Sequence, residues 1–408
     1  MADEKKSVLK NIITEVGLSP EAVMTEVKQK KGKLFIGIPK ETLFQEKRVA
    51  LTPESVATLV ANGNKVVIES NAGKNSFFHD TDYSEAGAEM THNTEQVYQA
   101  DIIVKVAPPT DAEINMMKLH QIIISPIHLP TLKREYIEKL MFKKVTAIAF
   151  EYIKDDAHSY PIVRAMSEIA GSTALLLASE YLSNTGKGKG VLLGGITGVP
   201  PAKVVIIGAG VVGEFASRTA LGLGAEIYVF DNNIYKLIRL QNNIGRRVFT
   251  SVINPEILMR ELQEADVAVG AIHSGEGRTP VIVTDEMVSK MKAGSVILDV
   301  SIDQGGIFET SHVTNHDDPV FKKYDVIHYC VPNIASRVSR TASSALSSIL
   351  ATIIQRAGDM GGIERLMIYD EDARHGSYIY KGHLTNKHLA ERFSMKYTDL
   401  NLVFTAGM

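Results

Sequence analysis

Gly208, Gly210 and Gly213 stand in G-x-G-x-x-G spacing inside VVIIGAGVVGEFASRTALGLGAEIYVFD, residues 204–231. The spacing follows an apolar strand, opens a helix, and is followed by a second strand ending on Asp231. That context suits a dinucleotide. Gly208 permits a tight turn, Gly210 lets backbone approach a pyrophosphate, and Gly213 allows close helix–strand packing. The pyrophosphate would rest on the helix N-terminus, where free N–H groups point outward. Asp231 would accept hydrogen bonds from ribose hydroxyls and repel a 2′-phosphate, which favours NAD over NADP.

Three more residues have types suited to chemistry. His128, in QIIISPIHLP, reads as the C-terminal end of an apolar strand, where ligands of open α/β sheets collect. Histidine is the usual proton carrier near neutral pH. Asp303, in SVILDVSIDQGG, reads as the end of another strand, where a carboxylate can orient a water, an amine or a histidine. Asp299 lies inside that strand and reads as structural. Arg48, in GIPKETLFQEKRVALTPE, is placed to clamp a carboxylate through two parallel N–H bonds. Taken singly, each also fits a plain surface or turn role.

These residues need strands to aim them. LFIGIP, KVVIES, DIIVKV, QIIISPI and VTAIAFE read as strands, with helices near 52–63, 82–99 and 131–142 between them. Thr52 is the expected N-cap of the first helix, with Pro53 at N1 and Gly63 just past its end. Residues 167–184 are a long helical pattern rich in small side chains. A glycine-rich loop leads to a second alternating block from Val204, and a helical tail (339–358, 383–393) follows. Such strand–helix alternation predicts an α/β fold with mostly parallel sheets. The tail is expected to pack back onto the first block.

The chain has 408 residues, 45% of them apolar, and a formal net charge of −3. That length suggests two domains or more, and the charge offers no argument for nucleic acid or an acidic membrane surface. No apolar run in the sequence reaches the roughly 18–20 residues that span a bilayer. The charged N-terminus lacks the apolar core of a signal peptide, so a cytoplasmic protein is expected. The single cysteine, Cys330, reads as a small core residue, and no metal-binding cluster is legible. Residues 1–33 read as a lysine-rich extension.

Several long motifs in order resemble the alanine dehydrogenase family, which shares its fold with the NAD-binding subunit of proton-translocating transhydrogenase. They are GIPKETLFQEKRVALTPESV, MSEIAG (166–171), GKGVLLGGITGVPPAKVVIIGAGVVG, DNNIYKL (231–237), LDVSIDQGGIFE and YCVPNIAS. The resemblance implies two Rossmann-like domains, the NAD-binding one (162–339) inserted into a discontinuous catalytic domain (34–161 and 340–408). It implies NAD-dependent oxidative deamination of L-alanine to pyruvate and ammonia, by hydride transfer from the substrate Cα and hydrolysis of the imine. Arg48 matches the family's substrate arginine, and His128 and Asp303 match its catalytic pair. Ser167, Val211, Val212 and Lys236 join Gly208, Gly210, Gly213 and Asp231 as cofactor contacts. Ile272, His273, Val300 and Asn333 match residues near the nicotinamide. A homo-oligomer, hexamer or dimer, is also implied.

There is one departure. The family's second carboxylate-binding residue, a lysine, corresponds to Ala107 in Lys105-Val106-Ala107. Lys105 lies on the same face of the strand, roughly 6.5 Å back, and is a candidate replacement. The departure keeps alternatives open. They are another amino-acid or opine substrate, a soluble hydride-donating subunit of a membrane assembly, and a cofactor-binding regulator.

Overall fold

The computed structural model describes residues 32–43, 45–129, 132–274 and 278–406, so the extension up to residue 31 lies outside the described residues. Two sheets organise the chain. The first contains β1 (Phe35–Ile38), β2 (Lys65–Glu69), β3 (Glu89–Thr91), β4 (Ile102–Val104), β5 (Ile122–Ile124), β6 (Thr146–Ile148), β14 (Ser377–Tyr380) and β15 (His383–Leu384). Their order is β15-β14-β6-β5-β4-β1-β2-β3. The second contains β7 (Lys203–Ile207), β8 (Glu226–Phe230), β9 (Phe249–Ser251), β10 (Val267–Gly270), β11 (Val296–Asp299), β12 (Val320–Lys323) and β13 (Val326–Tyr329). Their order is β12-β13-β11-β10-β7-β8-β9.

Strands β1–β6 pair in parallel, as do β7–β11 with β13. Among the described strands, the antiparallel pairs lie at the edges, β6–β14–β15 and β12–β13. The central strands β4, β7, β10 and β11 are buried throughout, as sheets covered on both faces require. Among the parallel strands of each sheet the order reverses once, at β1/β4 and at β7/β10. Crevices open beyond the carboxyl ends of strands at such switch points.

Four expectations need correction. The helix expected near 82–99 is two short helices, Asp80–Glu85 and Thr94–Val97, flanking β3. Gly87, at φ +87°, turns the chain between them, a conformation that costs other residues a steric penalty. The tail is not purely helical, because SYIY and HL form β14 and β15 on the exposed edge of β6. Thr52 does occupy the N-cap position, but its side chain does not cap the helix Pro53–Ala61. Its hydroxyl lies 3.2 Å from Ser347 Oγ instead.

The fourth concerns membrane spans. The helix Pro161–Leu182 is long and apolar enough to cross a bilayer by length and composition. Here it is a packing helix: Ala174, Leu175, Ala178 and Leu182 enter the core of the second sheet. At Gly171 a Cβ would stand 2.3 Å from the Val212 carbonyl oxygen, so glycine lets this helix touch the helix Val211–Gly222.

The tail does pack back onto the first sheet's unit, through serines one turn apart on the helix Ser339–Met360. Ser339 Oγ donates to the Asn75 carbonyl (2.8 Å), while Ser343 and Ser347 accept the amides of Val49 (3.0 Å) and Thr52 (2.8 Å). The last two bonds satisfy loop amides that would otherwise be buried unpaired. They also fix the loop that carries Arg48.

Candidate functional site

At the β7/β10 switch point the glycine turn has the geometry its spacing requires. Gly208 adopts φ +118°, and a Cβ there would stand 2.3 Å from the Ala271 carbonyl oxygen. At Gly213 a Cβ would stand 1.8 Å from the Gly208 carbonyl oxygen, so only glycine allows the helix Val211–Gly222 to sit this close. Gly210 differs: the nearest atom to its Cβ position is 4.0 Å away. That open face, above a helix N-terminus carrying Val211 and Val212, has room for a pyrophosphate.

Asp231 ends just past β8. Its Oδ2 accepts the Ala209 amide (2.7 Å) and its Oδ1 the Asn233 amide (2.7 Å). Both oxygens keep lone pairs for ribose hydroxyls. Lys236 follows on the helix Ile234–Ile244, capped by Asn233. The side chain of Arg239, one turn further, donates to the Ala209 carbonyl (3.0 Å) and so braces the glycine turn. Arg239 was not expected here; its position one turn after Lys236 was the available signal.

The loops after β10 and β11 are tied together. Ser301 Oγ accepts the Ile272 amide (3.0 Å), and Gln304 Oε1 accepts the Ser274 amide (2.9 Å). Ile272, His273, Val300 and Asp303 therefore form one rim. Burial, and then the charge of Lys236, lower the His273 pKa from its usual value. Asp299 is structural as expected: it accepts the Ser311 hydroxyl (2.8 Å) and the Ile307 amide (3.0 Å). Asp303 is exposed to solvent by its surface area, although protein atoms surround its carboxyl closely enough to desolvate it. Burial, with a smaller push from Asp299, raises its carboxyl to about 6 against the pull of the Gln304 amide.

The first sheet contributes His128 and Arg48. His128 stands just beyond β5 with φ +53°, and burial lowers its pKa below the ordinary 6.5. Its imidazole is therefore neutral at neutral pH and able to take a proton. Arg48 meets the other unit directly. Its Nη2 donates to Asn333 Oδ1 (3.1 Å), and its Nη1 lies 3.2 Å from Met166 Sδ. Asn333, expected near the nicotinamide, thus belongs to the arginine's surroundings.

The two-point clamp expected of Arg48 is already filled. Nε and Nη2 bind the two oxygens of Glu46 at 2.8 and 2.6 Å. Glu46 also accepts from Asn333 Nδ2 (2.9 Å) and Ser336 Oγ (3.2 Å). Burial would push the Glu46 carboxyl up, but the Arg48 charge overrides it and holds it below the usual range. Nη1, against a weak sulfur acceptor, is the guanidinium nitrogen that no carboxylate among the described residues engages. Glu46 is the residue sequence reasoning missed; its place two residues before Arg48 was the only local signal. Ser167 lies on the helix Pro161–Leu182, next to Met166 and so beside this cluster.

Comparisons with known proteins agree with this layout. Residues 37–170 match the family model described as Alanine dehydrogenase/PNT, N-terminal domain, and residues 174–387 match Alanine dehydrogenase/PNT, C-terminal domain. The chain belongs to the alanine dehydrogenase/PNT family. It is 39% identical over 366 residues to Alanine dehydrogenase 2 of Staphylococcus aureus, covering 90% of this chain and 98% of that one. A solved L-alanine dehydrogenase superposes with a TM-score of 0.84 at 37% identity, covering 88% of this chain and 99% of the other. A transhydrogenase from Sinorhizobium meliloti superposes at 0.74 with 25% identity, covering 86% and 99%.

Within this alanine dehydrogenase/PNT framework the Ala107 departure has a clear structural setting, and Lys105 is not its remedy. Lys105 is 1% exposed. Its Nζ bonds Glu113 Oε1 (2.8 Å) and Glu41 Oε2 (3.0 Å). Glu41 also accepts the Val106 amide (2.5 Å), and Glu113 closes the capping box of the helix Asp111–Met116. Burial would lower the lysine's pKa, but the two carboxylates raise it above the usual value. Its donors therefore serve the β1/β4 switch point from inside. Burial pushes Glu41 up in spite of Lys105, because one cation serves two carboxylates. Ala107, 3% exposed, closes that strand end without a charge.

Proposed function

We propose that the protein catalyses the reversible, NAD-dependent oxidative deamination of L-alanine to pyruvate and ammonia. The observation that carries this reading is similarity to alanine dehydrogenases over about nine-tenths of the chain, and it is supported by the position of His128 and Asp303 beyond the carboxyl ends of β5 and β11. Gly208, Gly210, Gly213, Val211, Val212, Ser167, Asp231 and Lys236 would hold NAD. The fit rests on the open face at Gly210 and the free lone pairs of Asp231. Bound NAD supplies the acceptor for the substrate's Cα hydride.

The remaining work falls to side chains. Arg48 holds the substrate carboxylate at Nη1, with Glu46 and Asn333 locking the guanidinium plane. A fixed guanidinium lowers the ordering cost of binding. His128, neutral through burial, accepts a proton from the substrate amine or attacking water and returns it in the reverse direction. Asp303 orients the water that attacks the imine, and is mostly ionised above pH 6. Ile272, His273 and Val300 line the nicotinamide end. Residues 34–161 with 340–408 form the substrate unit, and residues 162–339 the NAD unit. The enzyme is a cytoplasmic homo-oligomer, for which exposed Leu176, Leu192, Ile196 and Val199 offer apolar surface.

The test is NADH formation from L-alanine against a panel of amino and keto acids, with light scattering for the assembly. His128→Ala should abolish turnover while NAD still binds. Retained turnover would remove His128 from the mechanism, and a stronger response to another amino acid would reassign the substrate.

A further inference from the structure

One buried carboxylate is used neither by the proposed mechanism nor by any ion pair among the described residues. Glu151 lies on the short turn Phe150–Tyr152, just after β6. Strands β5 and β6 are parallel neighbours, and the Ser125 amide donates to the Ile148 carbonyl (3.0 Å), so the loop leaving β5 runs beside Glu151. Its Oε1 accepts the Ile127 amide at 2.7 Å, and the His128 amide also faces the carboxyl. Its Oε2 is shut off from solvent with no hydrogen-bond partner. His128 itself has φ +53°, a conformation that a non-glycine residue keeps only when its surroundings impose it.

We propose that Glu151 is the positioning residue that anchors the backbone entering His128, and so helps aim the imidazole into the site. This inference rests on the catalytic reading of His128. Two consecutive amides directed at one carboxyl group fix the two peptide planes that flank the Ile127 Cα, and the second of these planes carries the His128 nitrogen, so the chain enters His128 in one orientation. The side chain acts through the backbone, so it is not a catalytic residue.

The hold is also sensitive to pH. Burial raises the Glu151 carboxyl to about 7, against the opposing pull of the Ile127 and His128 amides. The titratable groups around it are His128 from the β5 loop, Tyr152 beside it, Tyr136 from the helix Arg134–Phe142 and Tyr378 from β14. The tyrosines are buried, with pKa values raised, and none of the groups acting on Glu151 is a cation. An ionised carboxylate accepts backbone N–H groups more strongly than a neutral acid. The hold therefore strengthens as pH rises through about 7.

Glu151→Gln and Glu151→Leu in the full chain test this, with kcat, KM for L-alanine, NAD affinity and thermal unfolding measured for each. The glutamine retains a neutral acceptor. The ratio of wild-type to Glu151→Gln kcat is expected to rise from near one at about pH 6 to about threefold or more at about pH 8.5. Glu151→Leu removes the acceptor and should lower kcat by about thirtyfold with NAD affinity unchanged. If the leucine variant does not fold, the glutamine ratio decides alone. A ratio that is flat with pH, beside an inactive His128→Ala, overturns this inference and leaves the active-site reading standing. Turnover retained in His128→Ala overturns both.

Discussion

Replacing Lys105 by methionine separates its two possible roles. The substitution keeps most of the side-chain volume and removes the charge. In the wild type one ammonium bonds two buried carboxylates, Glu113 at 2.8 Å and Glu41 at 3.0 Å. Methionine would leave both acids buried with no cation. Breaking a buried ion pair costs about 3–5 kcal/mol, because the partner left behind stays desolvated. At ~2–4 °C per kcal/mol that is a fall in Tm of roughly 6–20 °C. The sign with pH follows. A buried, unpaired carboxyl has a folded-state pKa above its unfolded value, so the folded state binds more protons and stability falls as pH rises through the folded value. The Tm gap between Lys105→Met and wild type should therefore be smaller at about pH 6 than at about pH 8. The KM for L-alanine should stay within about twofold, since a buried Nζ gives no uniform binding to lose. Unchanged Tm with a KM at least about tenfold higher would refute the reasoning and make Lys105 a substrate ligand.

Other expectations follow from the same geometry. Gly210→Ala adds a methyl into open space, so thermal stability should hold while NAD binds about tenfold more weakly; Gly213→Ala, facing a carbonyl at 1.8 Å, should lose about 1–3 kcal/mol of stability as well. Calorimetry and cofactor titration separate the two. In the wild type, kcat for deamination should fall as pH drops through about 6, where Asp303 takes up a proton, and Asp303→Asn should be slow at every pH without that limb. Ser343→Ala deprives the Val49 amide of its acceptor at 3.0 Å, and should cost about 1–3 kcal/mol by denaturant unfolding with kcat little changed.

Much of the site was legible because its signals are local. The glycine spacing, the strand before it and Asp231 after it constrain one another within a single βαβ unit, so the turn can be read from residues 204–231 alone. His128 and Asp303 were legible as strand-end residues because a parallel sheet sends every carboxyl end to one side. The edge elements were harder. SYIY in the tail follows a helical run, and only the unpaired edge of β6 makes it a strand. Likewise β3 spans only Glu89–Thr91 and depends on its register with Val67–Glu69 of β2.

Long-range partners decided the rest. Arg48 looked like a free fork for a substrate; folding brings Glu46, Asn333 and Met166 around it and leaves one edge. Thr52 looked like a capping hydroxyl; Ser347, almost 300 residues later, claims it. Lys105 looked like a replacement ligand because a strand's alternation places it on the face of Ala107. Alternation gives direction only. What a long side chain meets in that direction depends on loops arriving from elsewhere, here Glu41 after β1 and Glu113 at a helix start. The sequence by itself determined the fold class, the glycine turn and the strand ends where His128 and Asp303 stand, because those follow from local spacing and periodicity. Only the tertiary structure decided which charges are paired inside and which stay open, because burial and pairing are set by residues far apart in the chain.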